Sequence, residues 1–190
     1  VQSQGGAIFV GSPFVMTGSV VDSNYSSQAG GGIAVDMQYI NKNGSTYEGY
    51  VELINNTIVN NIVDSADPTI PGFGGAIIDH NIDQHDKLWF NNIIWGNQSN
   101  NQSNEPSSGV WLQTSNGQPL SSQGADWNGY NNIQDVAEIK AFFDYDFGDN
   151  TSSIDPNFKS AGSFQLSDSS PMIGAGAAVF HGDVTPPSID

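Results

Sequence analysis

Short runs of aliphatic and β-branched residues alternate along this chain with glycine and asparagine at regular places. Glycine phrases recur as GGAI, GGGI and GGAI, at 5–8, 30–33 and 74–77. Longer phrases that superimpose without a gap, and that all end on Asn, lie at 15–24, 52–61 and 88–97. Self-similarity at spacings of roughly 25 to 45 residues is typical of stacked repeats, because one repeat cannot bury its apolar side alone. The pattern predicts an all-β solenoid, in which short strands form successive rungs.

The phrase NNTIVNN, at 55–61, shows how one rung is built. Its central residues are β-branched and suit a packed strand, whereas the flanking asparagines tolerate the left-handed backbone of a sharp corner. Stacking of like residues predicts a structural ladder of side-chain amides, formed by Asn24, Asn61 and Asn97. It also predicts an aliphatic stack, formed by Val20, Ile58 and Ile94.

Longer insertions follow the rung phrases, and we expect them on one face of the coil, at 36–49, 62–73 and 98–108. The repeat then weakens into a degenerate rung at 125–135. Asp135 and Glu138 form a capping-box pattern that predicts a short helix over 136–143. One domain is therefore expected, with parallel β-helix rungs over 1–135 and the short helix and C-terminal capping segment over 136–190.

The order of the phrases carries a family resemblance. After GGAI and NNTIVNN come YNNIQD at 130–135, IDPNF at 154–158 and FQLSDSSPMIGAG at 164–176. This succession resembles right-handed parallel β-helix proteins of the pectate-lyase-like superfamily, in particular the C-terminal part of secreted bacterial surface β-helix proteins. Gly174 stands where that family usually has Asp. The chain begins within a rung phrase, so we expect a mature product or the C-terminal part of a longer protein.

The resemblance implies an extracellular or cell-surface location. Family members often have no assigned activity, whereas others bind or degrade acidic polysaccharides. We therefore expect an extracellular structural or adhesive β-helix module, a surface or filament-type scaffold whose partner is a polysaccharide or cell-surface glycan. Strand edges at 5–10 also favour self-association by end-to-end stacking. The alternative is a polysaccharide lyase or glycoside hydrolase that acts on extracellular glycans.

Charge narrows the range of partners. The 190 residues carry 20 acidic side chains against four lysines and no arginine, a net charge of −16. Nucleic acid and anionic membranes need a cationic patch, so neither is expected as a partner. No apolar run reaches the roughly 18 residues of a membrane span, and no membrane insertion is expected. Cysteine is absent, which excludes a disulfide, a thiolate metal site and a cysteine nucleophile.

The segment IDHNIDQHDK, at 78–87, gathers the ionisable side chains that catalysis would use. Lyases of the family use a cationic base beside the carboxylate of the sugar. The catalytic candidates are Asp79, His80, Asp83, His85 and Lys87. The same composition also suits a polar loop that joins two rungs, and on that interpretation none of these residues is catalytic.

Two further groups could bind ligands. DYDFGDN places Asp144, Asp146 and Asp149 in a glycine-containing loop that suits Ca²⁺, although an ordinary acidic turn has the same composition. Tyr47 and Trp111 are predicted as an exposed aromatic pair on which a sugar ring could stack. No cofactor other than Ca²⁺ is expected.

Overall fold

The computed structural model describes residues 4–37, 40–42, 45–47, 49–65, 72–81, 85–99, 109–113, 127–130, 133–134, 154–160 and 162–176. All seventeen regular elements in these ranges are β-strands. The helix predicted over 136–143 lies outside the described residues. In the described part of the chain, no helix has the length and apolar character needed to cross a membrane.

The strands follow one another in four successive coils. The first coil contains β1 (Ile8–Val10), β2 (Phe14–Thr17), β3 (Val20–Asp22) and β4 (Tyr25–Ser26). The second contains β5 (Ile33–Val35), β6 (Ile40–Lys42), β7 (Ser45–Tyr47), β8 (Gly49–Ile54), β9 (Thr57–Val59) and β10 (Ile62–Val63). The third contains β11 (Ile77–Asp79), β12 (His85–Phe90), β13 (Ile93–Trp95) and β14 (Gln98–Ser99). The fourth contains β15 (Val110–Leu112), β16 (Trp127–Tyr130) and β17 (Ile133–Gln134).

Equivalent strands of successive coils pair in parallel and form the four sides of a solenoid. Sheet A has the order β1-β5-β11-β15, sheet B β2-β8-β12-β16, sheet C β3-β9-β13-β17 and sheet D β4-β10-β14. The parallel β-solenoid predicted from the repeats is therefore present. The sequence phrases missed β15, because Gly109 alone represents the glycine pair that precedes the equivalent strands.

The interior of the coil holds one apolar core, which is built mainly by alternate residues of the described strands of sheets A and B. Ile33, Leu53 and Ile77 are fully buried there, and a side chain of this kind contributes about 1.5–3 kcal/mol when it leaves water. In sheet C the inward stack is Val21, Ile58 and Ile94. The predicted stack was wrong by one residue in the first coil, since Val20 points outward and is 49% exposed.

Glycine pairs set the corner before sheet A. Gly30 has φ +62°, and a Cβ there would come 2.4 Å from the carbonyl oxygen of Ile33. The backbone of Gly31 passes so close to the next coil that a Cβ would come 2.3 Å from the Gly75 carbonyl oxygen. The first glycine therefore supplies the left-handed turn and the second permits close stacking of coils.

The corners on either side of sheet C are built differently. A residue with left-handed backbone conformation precedes an asparagine whose side-chain amide points into the coil. Asn60, with φ 55°, precedes Asn61, and Gly96, with φ 67°, precedes Asn97. The same pairing occurs at the other corner, where Asn55 has φ 57° and Asn91 has φ 53°. Asparagine tolerates this backbone region better than other side chains with a Cβ, which explains the doubled asparagines of the repeat.

The amides after these residues form two buried columns. In the first, Asn24 donates from its backbone N and its Nδ2 to Asn61 Oδ1, at 3.0 and 2.9 Å. Asn61 makes the same two bonds to Asn97 Oδ1. The second column, which the sequence phrases did not reveal, joins Asn56 to Asn92 and ends on the backbone N of Ser19. Each buried Nδ2 also donates to a backbone carbonyl of the preceding coil, as Asn61 does to Val21 O.

The insertions lie at two corners. Residues 36–48 join sheet A to sheet B and include the antiparallel hairpin of β6 and β7. The connections 64–76 and 100–109 instead join sheet D to sheet A of the next coil. The expectation of a single face was wrong, because the first insertion and the other two lie at different corners. The predicted bounds also included 62–63 and 98–99, which are strands of sheet D.

The C-terminal described residues form a hairpin beside sheet C. Phe158 bridges Leu166 in antiparallel fashion, and Ser167 N donates to Asn157 O at 2.9 Å. We call residues 157–160 and 162–167 the C-terminal hairpin. It lies next to the outer face of the second and third coils, where it faces Val59 and Trp95. Closure of the coil end by this segment stays a prediction.

Replacement of Asn61 by alanine is expected to destabilise the protein by about 2–4 kcal/mol. Loss of this fully buried amide removes the acceptor of the Asn24 backbone N and the side-chain donor to Val21 O, and each buried polar group that loses its partner costs about 1–3 kcal/mol. Asn24 Nδ2 and Asn97 Oδ1 would each lose one of two bonds and keep the other, to Asp22 O and from the backbone N of residue 61. Denaturant unfolding followed by tryptophan fluorescence measures the change. The exposed Gln98→Ala serves as the control, and equal losses in the two variants would contradict the structural importance of the column.

Candidate functional site

The structure places Asp79 in the interior of the coil. It is the last residue of β11, it shares the inward face of Ile77, and it is fully buried. Its register neighbours are Val35 and Leu112, both members of the core. Asp79 Oδ1 accepts a hydrogen bond from Asn81 N at 3.1 Å, which closes the turn after the strand. This carboxylate therefore stabilises the corner from the inside.

His80 belongs to a polar column at the end of sheet A. Asp36, His80 and Gln113 each follow the last residue of a strand of sheet A. The backbone N of each donates to the carbonyl of the last strand residue in the preceding coil, which is Val10, Val35 and Asp79 respectively, so the three residues stack on one another. Asn81 Nδ2 donates to Asp36 Oδ1 at 2.6 Å. The column thus brings together residues that are 77 positions apart in sequence (36 and 113), and two of them, Asp36 and Gln113, lie outside the segment 78–87.

The hydrogen bonds fix the tautomer of His80. The indole Nε1 of Trp111 can only donate, and it donates to Gln113 Oε1 at 3.2 Å. Gln113 therefore presents its amide Nε2 to His80 Nδ1, with which it is in hydrogen-bond contact. His80 Nδ1 must accept, so the imidazole proton lies on Nε2, which is buried and has no hydrogen-bond partner among the described residues. In this arrangement Nδ1 is occupied and does not serve as a general base.

Electrostatics agree with a neutral imidazole. Burial lowers the pKa of His80 below its ordinary value of 6.5, against the opposing effect of the Asp36 and Asp79 carboxylates. A proton on Nδ1 would also face the donating amide of Gln113. Both effects favour the neutral form at physiological pH.

The remaining members of the predicted catalytic group are only partly described. His85 and Lys87 lie in β12, where the register pairs His85 with Gly49 and pairs Lys87 with Val51 and Trp127. Asp83 lies outside the described residues. Asp79 and His80 are adjacent in sequence, yet Asp79 serves the core and His80 serves the column at the end of sheet A.

The proposal that Trp111 forms an exposed platform was wrong. Trp111 is 6% exposed and its ring stacks on Phe73, with centroids 4.2 Å apart and planes inclined by 21°. Phe73, just before the glycine pair of the third coil, packs against Ala34, Ile78 and Trp111 on the outer face of sheet A. Tyr47 ends β7 and pairs with Ile40 in the hairpin insertion.

The predicted calcium ligands, Asp144, Asp146 and Asp149, lie outside the described residues. Among the residues that the structure describes, no group of three or more His, Asp or Glu side chains is arranged to hold a metal ion. Calcium binding at 144–149 stays a prediction.

An open cavity of about 250 Å³ lies between sheet C and the C-terminal hairpin. Its walls are Val59, Asn60 and Trp95 from the coil and Phe158, Ser160, Gly162, Ser163 and Phe164 from the hairpin. Trp95 points outward from β13, because the inward position of that strand belongs to Ile94. Sequence analysis missed this site, since the two walls lie more than 60 positions apart and the hairpin carries no repeat phrase.

Local hydrogen bonds hold both walls. On the coil, the left-handed corner residue Asn60 donates from Nδ2 to Asp22 Oδ1 at 2.9 Å. On the hairpin, Asp155 Oδ1 accepts from Asn157 N at 2.7 Å, and Ser170 Oγ donates to Pro156 O at 2.5 Å. These hydrogen bonds restrain the backbone that carries the aromatic side chains on both sides of the cavity.

No protein-family model, curated protein or solved structure matches the chain. The parallel solenoid is thus shown by the structure, whereas membership of the pectate-lyase-like superfamily stays a prediction.

The free energy of unfolding is expected to depend on pH through His80. Above pH 6.5 the imidazole is neutral in both states; as the pH falls through 6.5, the unfolded chain takes up a proton that the folded chain accepts only at lower pH. Stability is therefore lost across that window. Urea unfolding at about pH 7.5 and about pH 5.5 should show a smaller loss in His80→Gln than in the wild type. Equal losses in the two proteins would contradict the assignment.

Proposed function

We propose that this chain is an extracellular structural or adhesive module, a right-handed parallel β-helix that serves as a surface scaffold and binds carbohydrate. The observation that carries the proposal is the pair of buried asparagine columns, which satisfy the polar groups at both corners of sheet C through successive coils. Fully paired buried amides favour a stiff coil with one packing arrangement, which suits a scaffold. The extracellular location is supported by the family resemblance of the repeat phrases.

Carbohydrate is the ligand class that the surface chemistry favours. The cavity beside sheet C combines aromatic walls with uncharged polar groups, as ligand sites that bind through stacking and a few hydrogen bonds do. A net charge of −16 disfavours polyanionic partners unless a cation such as Ca²⁺ intervenes. Neutral glycans therefore fit the chain better than acidic ones.

The first coil supports self-association. Within the described residues, strands β1 to β4 pair on one side only, and their outward side chains include exposed apolar residues. These are Phe9, Val15, Val20 and Tyr25, between 49% and 56% exposed. An unpaired strand edge with exposed apolar side chains is a template for another chain, so we extend the proposal to end-to-end stacking of copies.

The carbohydrate proposal is tested by affinity electrophoresis in gels that contain mannan, β-glucan or polygalacturonate, each with Ca²⁺ and with EDTA. We expect retardation in a neutral polysaccharide and no new reducing or unsaturated ends. Product formation that is lost in Lys87→Ala or His85→Ala would overturn the scaffold proposal in favour of a lyase or hydrolase. Free migration in every gel would overturn carbohydrate binding.

Self-association is tested by sedimentation velocity over a range of protein concentrations. We expect species larger than the monomer, and we expect the double variant Phe9→Lys, Tyr25→Lys to reduce them, because lysine on an edge opposes strand addition. Tyr50→Lys, at an exposed position of the second coil, is the matched control. A monomer at all concentrations would contradict end-to-end stacking.

A further inference from the structure

The cavity between sheet C and the C-terminal hairpin has a lining that points to one kind of ligand. Three of its walls are aromatic, Trp95, Phe158 and Phe164, and each of them is partly exposed. Exposed aromatic faces around a concave site offer large apolar contact area at low conformational cost. A ligand with flat apolar faces and a polar rim would satisfy such walls.

Polar groups at the rim supply both donors and acceptors. Asn60 Nδ2 is held by Asp22, so the amide offers its Oδ1 as an acceptor to a ligand. Ser163 Oγ accepts from Gln165 N at 3.3 Å, which leaves the hydroxyl hydrogen to donate. Ser160 adds a second hydroxyl. Hydroxyl groups, which both donate and accept, match this set.

Charge and size narrow the ligand further. None of the lining residues is ionisable, and the hairpin's Lys159 is paired with Asp168 at 3.4 Å. The volume of about 250 Å³ lies below the roughly 300–1,000 Å³ of sites for drug-sized ligands, so it suits a single ring. An acidic sugar would bring a carboxylate to an uncharged site on a chain of net charge −16.

We propose that this cavity is a binding site for one neutral pyranose ring, with Trp95, Phe158 and Phe164 against the ring faces and Asn60, Ser160 and Ser163 at its hydroxyls. The proposal rests on the proposed carbohydrate-binding function and specifies its site and sugar class. The site occupies the outer side of the coil, so a glycan chain would pass across the hairpin and the sugar at this point would enter the cavity.

Saturation-transfer NMR on the full chain tests the site with methyl β-D-glucopyranoside, methyl β-D-galactopyranoside and methyl α-D-mannopyranoside. We expect at least one probe to bind with a Kd of about 1 mM, and sodium glucuronate to bind about tenfold more weakly than the glucoside. Trp95→Ala should weaken binding by about tenfold or more, and Trp95→Phe should recover part of the loss. Phe9→Ala, which removes an exposed aromatic residue of sheet A, outside the lining, should leave binding unchanged.

The possible results distinguish binding of sugar in this cavity from carbohydrate binding elsewhere on the chain. Retardation by a polysaccharide that survives both Trp95→Ala and Phe164→Ala would overturn the site while carbohydrate binding stands. Equal binding of glucuronate and glucoside would overturn the neutral specificity. Absence of transfer from every probe, with a lowered melting temperature of Trp95→Ala, would show that the chain itself fills the cavity and would overturn the proposal.

Discussion

Buried asparagine amides are the interaction on which this solenoid depends. A parallel coil must turn sharply several times per repeat, and each turn leaves backbone donors and acceptors away from water. Asn61 Oδ1 accepts from the Asn24 backbone and side chain, while its Nδ2 reaches Val21 O and Asn97 Oδ1. One amide thus serves three successive coils. The apolar core could fill the interior without these bonds, but it could not fix where each coil turns.

The corner chemistry explains how much of the fold could be predicted from the sequence. The doubled asparagines and glycines can be recognised in the sequence because few residue types adopt left-handed backbone, as Asn60 and Gly30 do. Their spacing predicts both the stacking and the Asn24, Asn61 and Asn97 column. Strands between the corners are short, so a shift of one residue exchanges inside and outside. The predicted aliphatic stack therefore included the exposed Val20 where the inward residue is Val21.

The structure of the candidate sites could not be predicted from local sequence patterns, because it depends on contacts between residues far apart in the chain. Trp111 is buried because Phe73, on the previous connection, stacks on it. Burial favours the neutral form of His80, and its tautomer is set by Gln113 and Trp111, which lie about thirty positions later in the chain. The cavity at Trp95 exists because the C-terminal hairpin, which has no relation to the repeat, packs beside sheet C. Polar composition at 78–87 is informative about turns, yet it does not distinguish a carboxylate inside the coil, such as Asp79, from one on its surface.

The asparagine columns also have a polarity. The amide-to-amide bonds of the first column all run in one direction. Nδ2 of Asn24 and of Asn61 donates to the Oδ1 of the following coil, and Oδ1 of Asn61 and of Asn97 accepts from the preceding coil. Two first coils placed face to face would set acceptor against acceptor, whereas a head-to-tail contact would keep the columns of the two copies in the same direction. Contact of this kind is heterologous, and along the axis of a solenoid it continues as an open filament unless the rotation closes a ring. The amide columns therefore favour head-to-tail contact, and the end-to-end stacking proposed above would build a polar fibre and not a symmetric dimer.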